Sequence, residues 1–299
     1  MKRLLLTGGT GFVGRNIKPI LKKQYEVSTL GRSKGNDIVS DLSEESPSLA
    51  ERYDIVLHAA GKVHTTPKTT TEIEEFDNVN YQGTVHLCSS LEQAGLPDTF
   101  IFISTVAVYG CDKGEKIDEG HVLKPKTPYA FSKLKAEDYL RNWCLTNKIH
   151  LCILRPSLIL GPYPPGNLGL MIKGLSSGRY LSIGDGNARK SVLMVYDIAR
   201  LVPLLEGKDA IYNLCSDDQP SIRDLETIIC CQLHKKMPLH IPYYIAKCLA
   251  VLGDLIGKNA PFNTNKMNKM TDSLTFSNKK VKAELGWAPL CVKDYFRII

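Results

Sequence analysis

Met1-Lys2-Arg3-Leu4-Leu5-Leu6-Thr7-Gly8-Gly9-Thr10-Gly11-Phe12-Val13-Gly14 opens the chain, and its reading decides the fold. The run Leu4-Leu5-Leu6 predicts a buried strand, the glycines a tight turn, and the residues around Ile17 to Leu21 a helix. Residues without Cβ let backbone approach backbone and ligand closely. A helix starting there aims its free N–H groups and positive dipole end at the turn, which suits pyrophosphate. Gly9-x-Gly11-x-x-Gly14, placed directly between strand and helix, satisfies the dinucleotide fingerprint.

Outward from this turn, apolar runs alternate with helical patterns. Strands are expected at residues 4–6, 26–30, 55–58, 100–104 and 151–154, and helices at 15–23, 46–51, 80–94 and 129–147. Such alternation means βαβ units, hence an α/β fold with a doubly wound parallel sheet, Rossmann-like. Phe100-Ile101-Phe102-Ile103 is apolar throughout, as a central strand covered on both faces should be. The pattern degrades after Pro156. Pro162, Pro164 and Pro165 mark a loop, and shorter elements follow near 168–177, 180–183 and 221–233. The expected organisation is a dinucleotide-binding domain over residues 1–160 with a returning segment near 190–215. A smaller, discontinuous C-terminal substrate domain takes most of 161–299.

The chain has 299 residues, 43% apolar and 23% charged, which is ordinary for a globular protein. Its net charge of +7 fits an acidic substrate or cofactor, and equally a solvated surface. No Lys/Arg cluster interleaves with aromatics, which argues against nucleic acid as a partner. Nine scattered cysteines without C-x-x-C spacing argue against a disulfide framework and against a bound metal, and point to reduced thiols in the cytoplasm. The apolar stretch 243–256 carries Lys247 and Asp254 and is too short to span a bilayer. It reads as an amphipathic helix packed on its own core, with contact to a membrane surface as the lesser alternative.

Three further positions carry chemistry. The second strand ends in Leu30-Gly31-Arg32-Ser33, where dinucleotide folds face the adenosine ribose. An acidic residue is absent there and Arg32 stands in its place. Its guanidinium fork suits a 2′-phosphate, so NADP(H) is preferred, with NAD(H) as the alternative. Asp41, followed by Leu42, could accept from the adenine amino group or cap a helix. Tyr129 and Lys133 lie at i and i+4, on one face of a helix started by Pro128. An ammonium nearby stabilises phenolate, which makes Tyr129 a usable general acid/base. Thr105, with Ser104 as second choice, closes the central strand at the edge where open α/β sheets bind ligands.

With these residues in view, the chain resembles the extended short-chain dehydrogenases of the NAD-dependent epimerase/dehydratase family. Thr7-Gly8-Gly9-Thr10-Gly11-Phe12-Val13-Gly14 is similar to the family's T-G-x-x-G-x-x-G. His58-Ala59-Ala60-Gly61 resembles the H-x-A-A segment, Asn80 to Thr84 its N-x-x-G-T, and Tyr129 with Lys133 its Y-x-x-x-K. Leu154-Arg155-Pro156, Gly184-Asp185-Gly186 and Leu285-Gly286-Trp287-Ala288-Pro289 resemble later landmarks. The likeness implies catalysis by Thr105, Tyr129 and Lys133. It implies cofactor contacts at Gly8, Thr10, Gly11, Phe12, Val13, Gly14, Arg32, Asp41, Leu42, His58, Ala59, Ala60 and Lys133.

Three features narrow the branch. The Asp-Glu pair that follows the catalytic Thr in sugar-nucleotide dehydratases is replaced by Val106-Ala107, so dehydration is not expected. Gly61-Lys62-Val63-His64 and Gly166-Asn167 resemble the subgroup acting on UDP-linked N-acetylhexosamines for surface polysaccharide. Asn167 would then contact the substrate diphosphate. The arginine that usually clamps that diphosphate is replaced by Lys190, with Arg189 one residue earlier. The substrate set implied is Thr105, Tyr129, Asn167, Arg189 and Lys190. The resemblance implies redox chemistry at C4 of a nucleotide-diphosphate sugar, with a 4-keto reductase ahead of a 4-epimerase. A non-catalytic NADP-binding protein and a reductase of apolar ketones are the further alternatives. A homodimer built on the helices at 80–94 and 129–147 is also implied.

Overall fold

The structure is a computed structural model describing residues 1–256 and 262–298. In chain order its elements are β1 Arg3–Thr7, α1 Phe12–Leu21, β2 Glu26–Gly31, β3 Ile38–Val39, β4 Ile55–His58, α2 Thr70–Asp77, α3 Gly83–Ala94 and β5 Thr99–Ile103. They continue as β6 Gly114–Ile117, α4 Pro128–Asn147, β7 His150–Pro156, β8 Leu158–Leu160, α5 Gly166–Ser176, β9 Leu181–Ile183 and β10 Val192–Met194. The last are α6 Val195–Leu205, β11 Ala210–Leu214, α7 Ile222–Leu233, β12 Leu239–Ile241, α8 Tyr243–Ile256, α9 Thr264–Thr271, β13 Leu274–Phe276, α10 Lys279–Leu285 and α11 Val292–Tyr295.

Seven strands form one parallel sheet in the order β11-β7-β5-β4-β1-β2-β3. The order reverses between β1 and β4, which is the switch point where doubly wound sheets open a crevice for ligand. All five residues of β5 are buried, because helices cover both faces. Two cores result. One face packs Leu4 and Leu6 with Leu57, Ile101 and α6. The other packs Leu5, Val56 and Phe100 with α3 and α4. Three two-stranded parallel pairs, β10-β8, β12-β9 and β13-β6, stand outside this sheet.

Local expectation and structure part in three places. Residues 46–51 form no helix. The stretch is shorter than a stable nucleus, and Leu49 is instead drawn into the core beside Tyr53. The helix expected from residue 80 is preceded by α2 and a wide π-type turn, Asn78–Gln82. Thr69 and Glu72 close a capping box at the start of α2. Helix α8 forms and packs on a small core of its own, as expected, but through its small residues only. Its small residues Ala246, Ala250 and Gly253 are buried against Met267 and Phe262, while its leucines face outward.

Candidate active site

The glycine turn sits at the C-terminal end of β1, at the switch point. Gly8 has φ +71, and a Cβ there would lie 2.9 Å from the Ala60 backbone. A Cβ on Gly14 would run into the Gly8 carbonyl oxygen. The glycines are therefore required by two close approaches, of β1 to the loop after β4 and of α1 to the turn. Gly11 begins α1 without a side-chain cap, and no acidic residue occupies the first turn. Its first N–H groups, from Phe12, Val13 and Gly14, are thus left for an anion. Thr10 accepts a 2.9 Å hydrogen bond from Ser33, tying the turn to the end of β2. Close by, Asn36 Oδ1 is buried without a partner, 3.0 Å from where a Gly9 Cβ would sit. An orphaned acceptor beside a bare backbone cradle is what a dinucleotide would complete, so these residues fit one.

At the end of β2 the side chain of Arg32 is 71% exposed, and its nearest acid is Asp41 at 3.6 Å. Asp37, the other nearby carboxylate, is turned back onto the strand. It accepts from Thr29 N at 2.8 Å and Thr29 Oγ1 at 2.7 Å, which hold its pKa down against a smaller opposing effect of burial. Asp41 accepts from the backbone and hydroxyl of Ser43. Burial would raise its pKa, but those bonds and Arg32 bring it below the usual value. The Leu42 side chain is buried against α3 and its carbonyl accepts from His86, so its side chain belongs to the core.

His58 is fully enclosed, and burial, then the charge of Lys133, pushes its pKa down to about 3. Thr84 gives its proton to the Asn80 carbonyl. The His58 Nε2–H therefore donates to Thr84 at 3.0 Å, and Nδ1 accepts from Thr7 at 2.6 Å. The neutral ring thus clasps β1 to α3, and only the backbone of His58, Ala59 and Ala60 is left to line the crevice. Thr7 in turn accepts from the Ala60 N–H.

Helix α4 carries Tyr129 and Lys133. Thr127 caps it by accepting from Ala130 N, and Pro128 fixes its first turn. Tyr129 is half-buried with its ring against Phe76 of α2. Burial raises its pKa to about 12, and a hydrogen bond with Thr105 works in the other direction. Thr105 is itself held at the end of β5 by accepting from Ala107 N at 3.1 Å. Lys133, one turn on from Tyr129, is buried. Its ammonium donates to the Ile103 carbonyl at 2.8 Å and lies 4.6 Å over the Phe102 ring. Burial brings its pKa down to about 8, with Glu137 pulling it back up. Tyr129, Thr105 and Lys133 thus converge at the end of the central strand, next to Gly61, whose missing Cβ leaves room for the ammonium.

Sequence reading missed what lies behind this triad. Glu137 and Arg155 are both buried and joined by two hydrogen bonds, of 3.0 and 2.6 Å. Glu137 also accepts from Ser104, so that hydroxyl is committed to the network and Thr105 alone faces Tyr129. Arg155 continues to Tyr109, which donates to Asn213 on β11. Asn80 supplies a second support. It accepts from Lys62 N, and donates to the Lys62 carbonyl and to Ser132 on α4. The spacing of Glu137 four residues after Lys133 was visible in the sequence, but its partner from β7 was not.

The expected substrate residues are more scattered. Asn167 is exposed in the first turn of α5. The preceding Gly166, at φ +65, has no room for a Cβ because the His64 ring fills that space. The loop after β4 and the start of α5 are therefore packed together. Lys190 Nζ donates to the Asp272 carbonyl at 2.6 Å, and its pKa is lowered by burial. Arg189 is exposed and donates to the Gln219 carbonyl. The segment just before these two residues, Gly184–Ala188, bounds a cleft of about 490 Å³ together with Tyr243, Tyr244 and Thr271. Among the described residues no cluster of side chains has the makings of a metal site, and no helix is long and apolar enough to cross a membrane.

A doubly wound sheet, a glycine turn at its switch point and a Tyr–Lys pair at its edge define a short-chain dehydrogenase of the extended type. The chain belongs to the NAD dependent epimerase/dehydratase family, which it matches over residues 4–215, and it is an enzyme of that family. It is 28% identical to an N-acetyl-alpha-D-glucosaminyl-diphospho-ditrans,octacis-undecaprenol 4-epimerase of Escherichia coli O157:H7, over 96% of this chain and 90% of that one. It is 30% identical to a GDP-6-deoxy-D-mannose reductase of Pseudomonas aeruginosa, over 75% of this chain and 78% of the other. The solved structure of RMD from Pseudomonas aeruginosa, complexed with NADPH, superposes with a TM-score of 0.74 at 24% identity, covering 98% of this chain and 96% of that one.

Proposed function

We propose that the protein is an NADP(H)-dependent 4-keto reductase of a nucleotide-diphosphate sugar. The carrying observation is the end of β2, where Arg32 is exposed, Asp37 is turned back onto Thr29, and Asp41, held by Ser43, stands 3.6 Å from the Arg32 guanidinium. At the position where an acidic residue would accept from a ribose 2′-hydroxyl the chain presents a cation, and a 2′-phosphate would find a guanidinium fork. The bound cofactor supplies the hydride that reaches C4. The protein supplies the rest. Thr105 donates a hydrogen bond to the C4 oxygen, and Tyr129 gives that oxygen its proton. Lys133 stabilises the phenolate left behind, which then recovers a proton from solvent. A tyrosine whose pKa stands at about 12 is held as an acid, the state that reduction needs at the start of a turnover. Asn167, Arg189 and Lys190 hold the substrate diphosphate, and α3 and α4 provide the interface of a homodimer.

A second reading, a 4-epimerase, is favoured by coverage, since the Escherichia coli epimerase matches 96% of the chain and the reductase 75%. Steady-state assays with a UDP-linked 4-keto-6-deoxy-N-acetylhexosamine separate the two. The reductase reading expects stoichiometric NADPH oxidation, with NADH at least about tenfold poorer in kcat/KM. It also expects kcat/KM to fall as pH rises through about 8, where Lys133 loses its charge. Tightly bound NAD⁺ in the purified protein, with interconversion of UDP-sugars and no added cofactor, would establish the epimerase instead.

A further inference from the structure

Helix α8 exposes the largest apolar side chains of the C-terminal region. Tyr244 is 80% exposed, Ile245 53%, Leu252 57%, Leu255 81% and Ile256 73%. At about 100° per residue these side chains, with Leu249, fill one continuous arc of roughly 140° that contains no charge. The opposite side of the helix is already satisfied. Ala246, Ala250 and Gly253 are buried, and the Phe262 carbonyl sits where a Gly253 Cβ would be. Small residues thus seat the helix on α9, and the large ones are left outward. A monomer rarely leaves a patch of this kind without a use.

The charge around the patch selects its occupant. Residues 234–271 contain six lysines and one aspartate, with no arginine or glutamate, which is five of the chain's net seven positive charges. Lys235, Lys236, Lys247, Lys266 and Lys269 are all exposed. The aspartate, Asp254, is engaged with the backbone and hydroxyl of Thr264. A second copy docking by the same face would set these lysines against each other. An anionic lipid surface would meet both features, headgroups against the lysines and acyl chains against the arc. Fourteen helical residues reach only about 21 Å, short of a bilayer core of about 30 Å, so the helix would lie in the interface plane.

We infer that α8 docks this enzyme on the surface of an anionic phospholipid membrane, with Ile245, Leu249, Leu252, Leu255 and Ile256 entering the acyl boundary and Lys235, Lys236, Lys247 and Lys269 on the headgroups. Tyr243 and Tyr244 begin the same helix and line the cleft of about 490 Å³, so docking brings that cleft to the membrane surface. The inference holds for either C4 reaction.

Flotation of the full-length protein with vesicles tests it. Vesicles of equal parts phosphatidylcholine and phosphatidylglycerol should carry the protein up, pure phosphatidylcholine should carry little, and added salt should weaken binding. L252E/L255E should lower partitioning about tenfold or more while melting temperature and NADPH-dependent turnover on a soluble substrate stay unchanged. The milder L252S/L255S serves as the second variant, and the indole emission of Leu255→Trp should shift to the blue and be quenched by brominated lipid. Three results would overturn the inference. One is failure to float with the anionic vesicles, and another is equal flotation of L252E/L255E. The third is a dimer in sedimentation equilibrium that L252E/L255E dissociates without any vesicle binding, which would assign the face to a second copy.

Discussion

The parallel sheet and helix α8 are the two most apolar parts of the molecule, and they dispose of their side chains oppositely. In β1, β4 and β5 every Leu, Ile, Val and Phe is buried, because a parallel sheet is covered by its own crossover helices. In α8 the buried residues are alanines and a glycine, while Leu252, Leu255 and Ile256 stand in the open. Apolar residues in the sheet build the platform for Thr105 and Tyr129. Apolar residues on α8 contribute little to the fold and are available for contact with something else.

That contrast can be broken by stability measurements. The largest expected effect lies beneath the active site. Arg155→Met takes from buried Glu137 its buried, doubly hydrogen-bonded partner, leaving it part-exposed Arg141 and the charge of Lys133, and should cost about 3–5 kcal/mol in denaturant unfolding. Glu137→Gln combined with Arg155→Met should recover a large part of that loss, since the pair is then removed together. A loss within the range of surface substitutions would mean that the network does not hold β5, α4 and β7 together. Next comes a matched pair of truncations. Leu57→Ala, in the covered sheet, should cost about 2–5 kcal/mol. Leu255→Ala, at 81% exposure, should change stability by no more than about 0.5 kcal/mol. Equal losses would show that α8 is part of the core after all.

The same contrast explains what the sequence made legible. The glycine turn, β5 and the Tyr129–Lys133 pair are local patterns, and each can be read without knowing its neighbours. Helix α2 was missed although Thr69 and Glu72 form a capping box at its start, because Phe76 is its one buried residue and no apolar stripe marks it. Residues 46–51 misled because Leu49 responds to the sheet next to it rather than to helical spacing. The role of Asp37 could not be read, since it depends on a turn that folds it back onto Thr29. Glu137 and Arg155 were equally opaque, being 18 residues apart and joined only once β7 lies beside α4. For α8 the periodicity was visible, but which face would be covered depended on α9.

In the proposed mechanism Tyr129 delivers the proton to the sugar C4 oxygen. The most direct test is Tyr129→Phe, assayed for turnover with NADPH and a nucleotide-linked 4-keto sugar, and for NADPH binding by fluorescence titration. Turnover should fall by about 10²–10⁴-fold while NADPH affinity is retained. Turnover near the level of the unmodified enzyme would contradict it and place the acid elsewhere.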